Sequence, residues 1–242
     1  MPPFLSIVIP AFNEADRLPQ SLPQVLAFAA GQAYRVEILV VDNGSTDGTA
    51  GIVRDLAPHP PNLRLLQEPR RGKGLAVRAG VLAAEGEYRF ICDADLSMPI
   101  EQIHRFLPPA LVGVDVAIGS REAPGAVRHR EPTYRHWIGR VFNWLVRLLA
   151  VPGVEDTQCG FKCLRGSVAE DLCRVQRLGG WAFDVELLFI ARKRGYSLVE
   201  VPIDWYYGPG SRVRPLEDSW GMLMDLFRIR RNWRLGLYQP RD

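Results

Sequence analysis

The amino-acid sequence predicts an α/β fold in one domain, with a mainly parallel central sheet flanked by helices. The chain has 242 residues, which is enough to bury one substantial core. Its composition, 47% hydrophobic and 24% charged, is that of an ordinary globular protein. Short apolar runs alternate with helix-like segments, which is the pattern of βαβ units. Since no internal repeat divides the chain, we expect residues 1–242 to form a single domain.

The individual elements follow from this alternation. Pro10 ends the first apolar run, and Asn13 is expected to cap the first helix. The predicted strands span residues 4–9, 36–41, 63–66, 88–92, 114–118 and 197–201. The predicted helices span residues 13–30, 72–84, 134–150, 168–175 and 182–194, with two more that begin near residues 47 and 216.

The charge pattern excludes a general nucleic-acid binder. The formal net charge is only +3, from 30 basic and 27 acidic residues. Of the basic residues, 27 are arginines, and they concentrate in residues 121–147 and 212–234. Arginine suits bidentate contact with phosphate groups, so these two segments are candidate phosphate-facing regions.

The sequence predicts neither a signal peptide nor a transmembrane helix. The first ten residues lack a basic segment and a cleavage-like site. The most apolar stretch, residues 137–151, is too short to cross a bilayer and contains Arg140 and Arg147. The four cysteines form no C-x-x-C pair, which favours reduced thiols. We therefore expect a cytoplasmic protein that is soluble or lies on the inner face of a membrane.

Polar side chains follow four of the predicted strands at the point where each strand ends. Because the carboxyl ends of parallel strands meet at one edge of a sheet, these side chains are expected to form one site. The residues are Asn13 and Glu14, Asp42 and Asn43, Asp93 and Asp95, and Ser120 and Arg121.

The triplet Asp93-Ala94-Asp95 is the candidate metal site. Mg²⁺ and Mn²⁺ prefer hard oxygen ligands, often one or two carboxylates together with phosphate oxygens of a substrate. Such an ion neutralises a leaving diphosphate directly. The pattern therefore predicts that Asp93 and Asp95 bind Mg²⁺ or Mn²⁺.

Two other phosphate-binding motifs are excluded. The first strand is followed by Pro10-Ala11-Phe12-Asn13-Glu14 and not by G-x-G-x-x-G, which argues against a dinucleotide-binding fold. Arg71-Gly72-Lys73-Gly74 lacks the spacing of a P-loop and the following Ser or Thr. Lys73 and nearby backbone N–H groups can either contact a diphosphate or simply begin a helix.

Seven blocks of the sequence together form a recognisable pattern. In chain order they are Val8–Glu14, Val40–Asp47, Asp93–Asp95, Asp156–Lys162, Gly180–Glu186, Val201–Ile203 and Gly210–Arg212. These blocks resemble family 2 glycosyltransferases, which have a Rossmann-like A-type fold. The resemblance covers nearly the whole chain in order, and its later blocks are similar to the dolichyl-phosphate β-glucosyltransferase branch and its relatives, the dolichyl-phosphate mannose synthases.

The resemblance implies a set of donor-binding residues. Pro10, Phe12 and Glu14 would line the nucleoside pocket, and Val41 with Asp42 or Asn43 would contact base and ribose. Ser97 stands where mannose synthases commonly have Gln, so a third protein ligand for the metal stays open. The remaining donor-binding predictions are Lys73, Asp93, Ala94, Asp95 and Arg212, the last from a loop that closes on the diphosphate.

The acceptor side is implied in the same way. Arg121 and Arg140 would face the acceptor phosphate, while Asp156 and Gln158 either order that side or form a hydrogen-bonded turn. Together with Asp95, Arg121 and Arg140 are the predicted catalytic residues. We interpret residues 121–150 as the segment that faces the acceptor and the membrane, and residues 205–242 as a C-terminal loop and helix.

The function implied is inverting transfer of glucose from UDP-glucose to a polyprenyl phosphate. No side-chain base is expected, since a phosphate monoester with a second pKa of about 6 is already an anionic nucleophile. A GDP-mannose-dependent mannose synthase and a family 2 enzyme with a soluble acceptor are the alternatives. On helix 134–150 one polar stripe is predicted from His136, Arg140, Asn143 and Arg147, and on the C-terminal helix one apolar face from Trp220, Leu223 and Phe227. The apolar faces of both helices fit either core or in-plane membrane contact. The sequence predicts no oligomeric state.

Overall fold

The computed structural model describes residues 2–56, 62–132, 140, 143–208 and 215–239, with no side-chain detail for 215–220. It confirms the predicted α/β domain. The strands are β1 Leu5–Ala11, β2 Val36–Asp42, β3 Leu63–Gln67, β4 Tyr88–Ile91, β5 Val116–Ser120, β6 Val127–His129, β7 Lys162–Arg165, β8 Leu198–Pro202 and β9 Asp204–Tyr206. The helices are α1 Leu18–Ala30, α2 Thr49–Leu56, α3 Lys73–Ala83, α4 143–149, α5 Gly166–Val175, α6 Phe183–Lys193 and α7 Pro215–Arg234, with a 3₁₀ helix at Ile100–Phe106.

The main sheet has seven strands in the order β3-β2-β1-β4-β7-β5-β8. Strands β1 and β2 are apolar along almost their whole length and are covered on both faces, as central parallel strands are. They pair in parallel from Leu5 opposite Val36 to Ala11 opposite Asp42. This register brings the ends of both strands to the same edge of the sheet.

Strand β7 was not predicted from the sequence. Its four residues, Lys162 to Arg165, pair antiparallel with both β4 and β5 and separate them in the sheet. A short segment with a charged residue at each end gives no periodic signal, so only its long-range pairing identifies it as a strand. The small parallel sheet of β6 and β9 was missed for the same reason.

The prediction that Asn13 caps the first helix is wrong. Helix α1 begins at Leu18, and Asn13 has a left-handed backbone with φ of 51°. Its side-chain oxygen accepts a hydrogen bond from the backbone N–H of Thr46, and its own N–H donates to the hydroxyl of Ser45. Asn13 therefore joins the loops that follow β1 and β2.

Two hydrophobic clusters cover the two faces of the sheet. One packs α3 to α7 against the sheet, and the other packs α1, α2 and the 3₁₀ helix against the opposite face. All four cysteines are buried in these clusters with free thiols, in keeping with the predicted reduced state.

The buried face of the C-terminal helix differs from the predicted one. Of the predicted face, Leu223 is partly buried and packs against the core, but the fully buried residues of the helix are Met222, Leu226 and Ile229. Phe227 is 51% exposed. The side chain of Trp220, the third member of the predicted face, lies outside the described residues.

Helix α4 also differs in part. The sequence pattern placed Arg140, Asn143 and Arg147 on one polar stripe, but Asn143 is buried and accepts a hydrogen bond from the Thr157 hydroxyl. Residues 133–139, which include His136 of that stripe, lie outside the described residues. Within the described residues, no helix is both long and apolar enough to cross a membrane.

Gly80 provides a test of how closely α3 packs on the sheet. A Cβ atom at this position would lie 2.4 Å from Val8 Cγ1 and 2.8 Å from Val41 Cγ2. We expect Gly80→Ala to lower the free energy of unfolding by about 2 kcal/mol, because rigid β-branched side chains must move. Urea unfolding measures this.

Gly51 in α2 is the matched control. No atom lies within 4 Å of a Cβ atom built there, so Gly51→Ala should stabilise the protein by up to about 1 kcal/mol. An equal stabilisation by Gly80→Ala would contradict the close packing of α3 on β1 and β2.

Candidate active site

A cleft of about 630 Å³ opens where β1, β2, β4 and β5 end. At least one residue from each of the four polar strand ends lines it, as the sequence predicted. These lining residues are Glu14, Asn43, Asp93, Asp95 and Arg121.

Asp93 and Asp95 lie in the loop directly after β4. The Oδ1 atom of Asp93 is 2.6 Å from the ammonium group of Lys73. Asp95 is exposed at the mouth of the cleft, and its Oδ1 accepts a hydrogen bond from the backbone N–H of Ser97. The two carboxylates predicted to bind metal are therefore close to a cation from the first turn of α3.

Lys73 lies in a strongly charged environment. Burial alone would lower the pKa of its ammonium group, but the carboxylates of Asp93 and Asp184 outweigh burial and raise the pKa above its usual value. The ammonium group also lies 5.6 Å from the centre of the Trp181 ring. Lys73 thus remains fully charged at the position where the sequence suggested a contact with diphosphate.

The backbone passes very close to Asp93 at Gly160. A Cβ atom at Gly160 would lie 1.8 Å from Asp93 Oδ2, so no other residue fits without displacing that carboxylate. The close approach explains why a glycine stands at this point of the segment Asp156–Lys162.

A buried ion pair holds the segment Asp156–Lys162 in place. The ammonium group of Lys162, which is 1% exposed, lies 2.6 Å from Asp184 Oδ1 and donates a hydrogen bond to the carbonyl oxygen of Cys159. Asp184 lies in the first turn of α6 and also lines the cleft. The pair therefore fixes the backbone of Cys159 and Gly160 against the first turn of α6.

Four of the residues that were predicted to contact the nucleoside lie together in the wall of the cleft. Pro10, Phe12, Glu14 and Asn43 line the cleft. Arg71, which the sequence analysis did not single out, also lines it, and its guanidinium lies 5.2 Å from the centre of the Phe12 ring.

Asp42 and Asn43 differ in position. Asp42 and Val41 are buried and are not among the cleft-lining residues, and Asp42 accepts a hydrogen bond from the Ser45 N–H. Asn43 faces the cleft, but its amide donates to the carbonyl oxygens of Glu68 and Arg70 and accepts from the N–H of Gly72. Asn43 therefore holds the loop that leads into Lys73.

On the acceptor side, Arg121 is engaged by Asp156. The Nε and Nη2 atoms of Arg121 donate to the two carboxylate oxygens of Asp156 at 2.7 and 2.8 Å. The backbone N–H of Asp156 in turn donates to Glu200. Burial alone would raise the pKa of Asp156, but the Arg121 guanidinium outweighs it and lowers the pKa.

The other predicted acceptor residues are distributed differently. Gln158 lines the cleft, whereas Arg140 is exposed on its helix and is not among the lining residues. Arg212 lies outside the described residues. The structure therefore brings Arg121 and Gln158 together with Asp93 and Asp95, but not Arg140.

Sequence reasoning missed Arg128 and Trp205 as cleft residues. Arg128 bridges Glu122 and Glu131 through its two terminal nitrogens, and the Arg121 guanidinium lies 5.2 Å from the centre of the Trp205 ring. The Trp205 indole donates a hydrogen bond to the Ser97 hydroxyl. No local signal marks them, because the short strands β6 and β9 bring them to the cleft.

The donor set suits a divalent ion that is shared with a substrate. Among the described residues, no group of three or more His, Cys, Asp and Glu side chains forms a ready metal cage. Two carboxylates that leave further positions to phosphate oxygens and water are the usual arrangement for Mg²⁺. Asp93 and Asp95, at the mouth of the cleft, fit that arrangement.

The charge balance of the cleft also favours a divalent cation that binds together with the substrate. Of the described lining residues, five are basic and six are acidic, so the cleft has no positive excess of its own for a polyanionic ligand. The basic residues are Arg17, Arg71, Lys73, Arg121 and Arg128, and the acidic residues are Glu14, Asp93, Asp95, Glu122, Glu131 and Asp184.

The Arg121–Asp156 pair has a measurable pH dependence. The lowered pKa of Asp156 means that its stabilising effect is present above pH 4 and is lost as the pH falls through its folded pKa. Asp156→Asn removes the buried carboxylate that holds the Arg121 guanidinium, whose side chain is 21% exposed, so we expect it to lower the free energy of unfolding by about 3 kcal/mol at pH 7. Chemical unfolding from pH 7 to pH 3 should show this difference shrinking below about pH 4.

The exposed pair of Glu170 and Arg174 is the control. Because the Arg174 side chain is well exposed on α5, Arg174→Gln should change the free energy of unfolding by less than about 1 kcal/mol. If Asp156→Asn had an equally small effect, the buried pair would not hold the acceptor side together.

Comparison with known proteins places these features in a family. The sequence profile of "Glycosyl transferase family 2" matches residues 6–172. The chain is 34% identical to a dolichyl-phosphate beta-glucosyltransferase of Trichomonas vaginalis, covering 99% of this chain and 74% of that protein. It is 32% identical to the dolichyl-phosphate beta-glucosyltransferase of Saccharomyces cerevisiae, covering 98% of this chain and 77% of that protein.

Solved structures share the fold at lower sequence identity. Glucosyl-3-phosphoglycerate synthase of Mycobacterium tuberculosis, in complex with Mn²⁺, UDP and phosphoglyceric acid, matches with a TM-score of 0.65 and 18% identity over 99% of this chain and 80% of that one. Mannosyl-3-phosphoglycerate synthase of Rubrobacter xylanophilus matches with a TM-score of 0.66 and 19% identity over 99% and 77%. The profile match and the relatives that align with nearly the whole chain together show that the chain belongs to glycosyltransferase family 2.

Proposed function

We propose that this glycosyltransferase transfers glucose from UDP-glucose to a polyprenyl phosphate, with inversion, at the cytoplasmic face of a membrane. The observation that carries the proposal is the similarity, over 97–99% of the chain, to dolichyl-phosphate beta-glucosyltransferases from several eukaryotes. The two charged sides of the cleft supply the chemistry that such a reaction needs, since donor and acceptor are both anions.

The donor side is built from the loops after β1, β2 and β4. We assign the nucleoside to the side of Pro10, Phe12 and Asn43, and the diphosphate to Lys73 and Asp95. A divalent ion held by Asp93 and Asp95 would supply positive charge to the leaving diphosphate. The ammonium group of Lys73 would then lie near two anionic groups, the carboxylate of Asp93 and the donor diphosphate.

We assign the acceptor phosphate to the side of the cleft that carries Arg121, Gln158 and Arg128. Since Nε and Nη2 of Arg121 are held by Asp156, its Nη1 is the atom left to contact a phosphate oxygen. Asp156 acts as a positioning residue in this scheme, because it fixes the plane of the guanidinium. Arg140 does not line the cleft, so its predicted contact with the acceptor phosphate would have to come from outside the cleft wall.

The reaction itself needs positioning more than proton transfer. An oxygen of the acceptor phosphate forms the new bond to the anomeric carbon, while the bond from that carbon to the diphosphate oxygen breaks. Attack from the opposite face converts an α-linked donor into a β-linked product. Because the phosphate oxygen is already anionic near neutral pH, the main tasks of the side chains are to align two mutually repelling anions and to stabilise the leaving group.

Asp184 is the carboxylate in the cleft that most resembles a buried general base, but its surroundings argue against that role. Its carboxylate is paired with Lys162 at 2.6 Å and helps to hold Cys159 and Gly160 in place. We therefore expect transfer to reach a plateau above pH 7 and not to follow the titration of a carboxylate.

A panel of nucleotide sugars tests the donor assignment. We expect UDP-glucose with Mn²⁺ to raise the melting temperature more than UDP-glucose alone or GDP-mannose with Mn²⁺, because only a ligand that binds the folded state stabilises it. Stabilisation by GDP-mannose alone would favour the mannose-synthase alternative. Transfer to a soluble phosphorylated acceptor, with no effect of lipid or detergent, would favour a soluble acceptor.

Asp95 tests the metal and donor site. Asp95→Asn keeps the size of the side chain but removes a hard anionic ligand, so transfer should fall by a factor of about 100 or more with the melting temperature unchanged. Because Asp95 is exposed at the cleft mouth, its loss should not affect the core. Radiolabelled transfer to a short-chain polyprenyl phosphate measures the effect.

Asp55→Asn on α2 is the control for the same change of charge at an exposed site outside the cleft. It should retain the transfer rate of the parent protein. Equal rates for Asp95→Asn and Asp55→Asn would refute the assignment of Asp95.

A further inference from the structure

A second cavity, which we call the basic pocket, lies where α4, α6 and α7 end. Its volume is about 390 Å³. Four of its lining residues are basic and two are aromatic, and none of the described residues that line it is acidic. The lining residues are Leu149, Ala150, Pro152, Phe189, Arg192, Lys193, Arg230, Trp233 and Arg234.

Helix capping accounts for only part of this charge. Each helix C-terminus carries about half a negative charge, so three helix ends offset fewer than two of the four cations. Arg230 is committed to one of them, since its Nη1 donates to the carbonyl oxygen of Leu149. Arg192 and Arg234 are exposed and form no salt bridge with a carboxylate in the part of the chain that the structure describes. The pocket therefore keeps a positive excess.

The aromatic residues shape the pocket around a further cation. Lys193 lies over the rings of Phe189 and Trp233, with its ammonium 5.7 and 5.8 Å from their centres. The two rings meet edge to face, with an interplanar angle of 80°. This packing holds the ammonium group of Lys193 at the wall of the pocket, where an anion can reach it.

The outer surfaces of α4 and α7 next to this pocket are apolar. Trp144 and Leu148 on α4 are 58% and 65% exposed, and Met224 and Phe227 on α7 are each 51% exposed. Exposed arginines follow on α7 at Arg228 and Arg231 and at the pocket itself. Large apolar side chains interleaved with arginine are typical of helices that lie in a membrane interface.

The same two helices also reach the active-site cleft. Asn143 in α4 and Met222 in α7 line the cleft, whereas Leu149 and Arg234 line the basic pocket. At a rise of 1.5 Å per residue, the two sites are roughly 9 Å apart along α4 and roughly 18 Å apart along α7. The same two helices therefore connect the basic pocket to the cleft.

We infer that the basic pocket binds the phosphate headgroup of an anionic phospholipid and so holds the cleft against the membrane surface. The inference rests on the proposed function in one respect, since a lipid acceptor requires the cleft to lie at a membrane. The charge and the exposed apolar residues around the pocket do not depend on that function. The positive charge of the pocket, with no acidic residue among its described lining residues, favours an anion as the ligand. The adjoining exposed apolar side chains favour an anion that is embedded in an apolar layer; they are Trp144, Leu148, Met224 and Phe227.

Vesicle sedimentation tests the inference, with phosphatidylcholine vesicles that either contain or lack phosphatidylglycerol and contain no polyprenyl phosphate. The parent protein should bind the anionic vesicles more tightly than the neutral ones. The double variant Arg192→Gln, Arg234→Gln should bind the anionic vesicles about 30-fold more weakly, since each cation near the surface contributes about fivefold.

The control is the double variant Arg54→Gln, Arg174→Gln, which removes two exposed cations from α2 and α5. It has the same net charge as the test variant and should bind the anionic vesicles within about twofold of the parent. Equal loss in both variants would mean that net charge and not the pocket drives binding, and would overturn the inference. So would equal binding of the parent to neutral and anionic vesicles, or binding of inorganic phosphate without vesicle binding.

Transfer to a water-soluble, short-chain polyprenyl phosphate separates this inference from the proposed function. Both double variants should transfer glucose to that acceptor at the rate of the parent, because neither changes a cleft residue. Failure of the parent to transfer, with vesicle binding intact, would overturn the proposed function and leave the basic pocket as a membrane-docking site.

Discussion

The candidate site depends on an alternation of charge that runs from the protein interior to the mouth of the cleft. Lys162 is buried against Asp184, and Lys73 lies against Asp93, each pair at 2.6 Å. The field of Asp184 also acts on Lys73, so the two pairs form one electrostatic unit. Losing one member of such a unit leaves a desolvated charge without its partner, which is strongly unfavourable. The positions of β7, α3 and α6 relative to one another therefore follow from the same contacts that prepare the site.

Much of this arrangement could be predicted from local sequence. The apolar strands β1, β2 and β4 and the polar residues at their ends, Asp93 above all, follow from periodicity and from the geometry of parallel sheets. The contribution of Lys162 and Asp184 could not be predicted in this way. The role of a lysine in a four-residue strand and of an aspartate in a helical turn becomes apparent only when the 21 residues between them fold back and bury the two side chains together.

The side of the cleft that carries Arg121 shows the opposite limit of sequence reasoning. Arginine-rich segments suggested contacts with phosphate in general, but they did not separate an arginine held by a carboxylate from one that is exposed. Arg121 is fixed by Asp156, whereas Arg192 and Arg234 lie on a different surface altogether. Composition alone does not divide the arginines in this way, because the division depends on tertiary contacts.

The close approach of Gly160 to Asp93 has a consequence for how such a protein can change over evolutionary time. Two positions 67 residues apart in the sequence share a space in which only one of them can have a side chain. A substitution at Gly160 is tolerable only in a background where Asp93 has already moved or been replaced. Substitutions in the loop after β4 and in the segment before β7 are therefore expected to occur together during evolution.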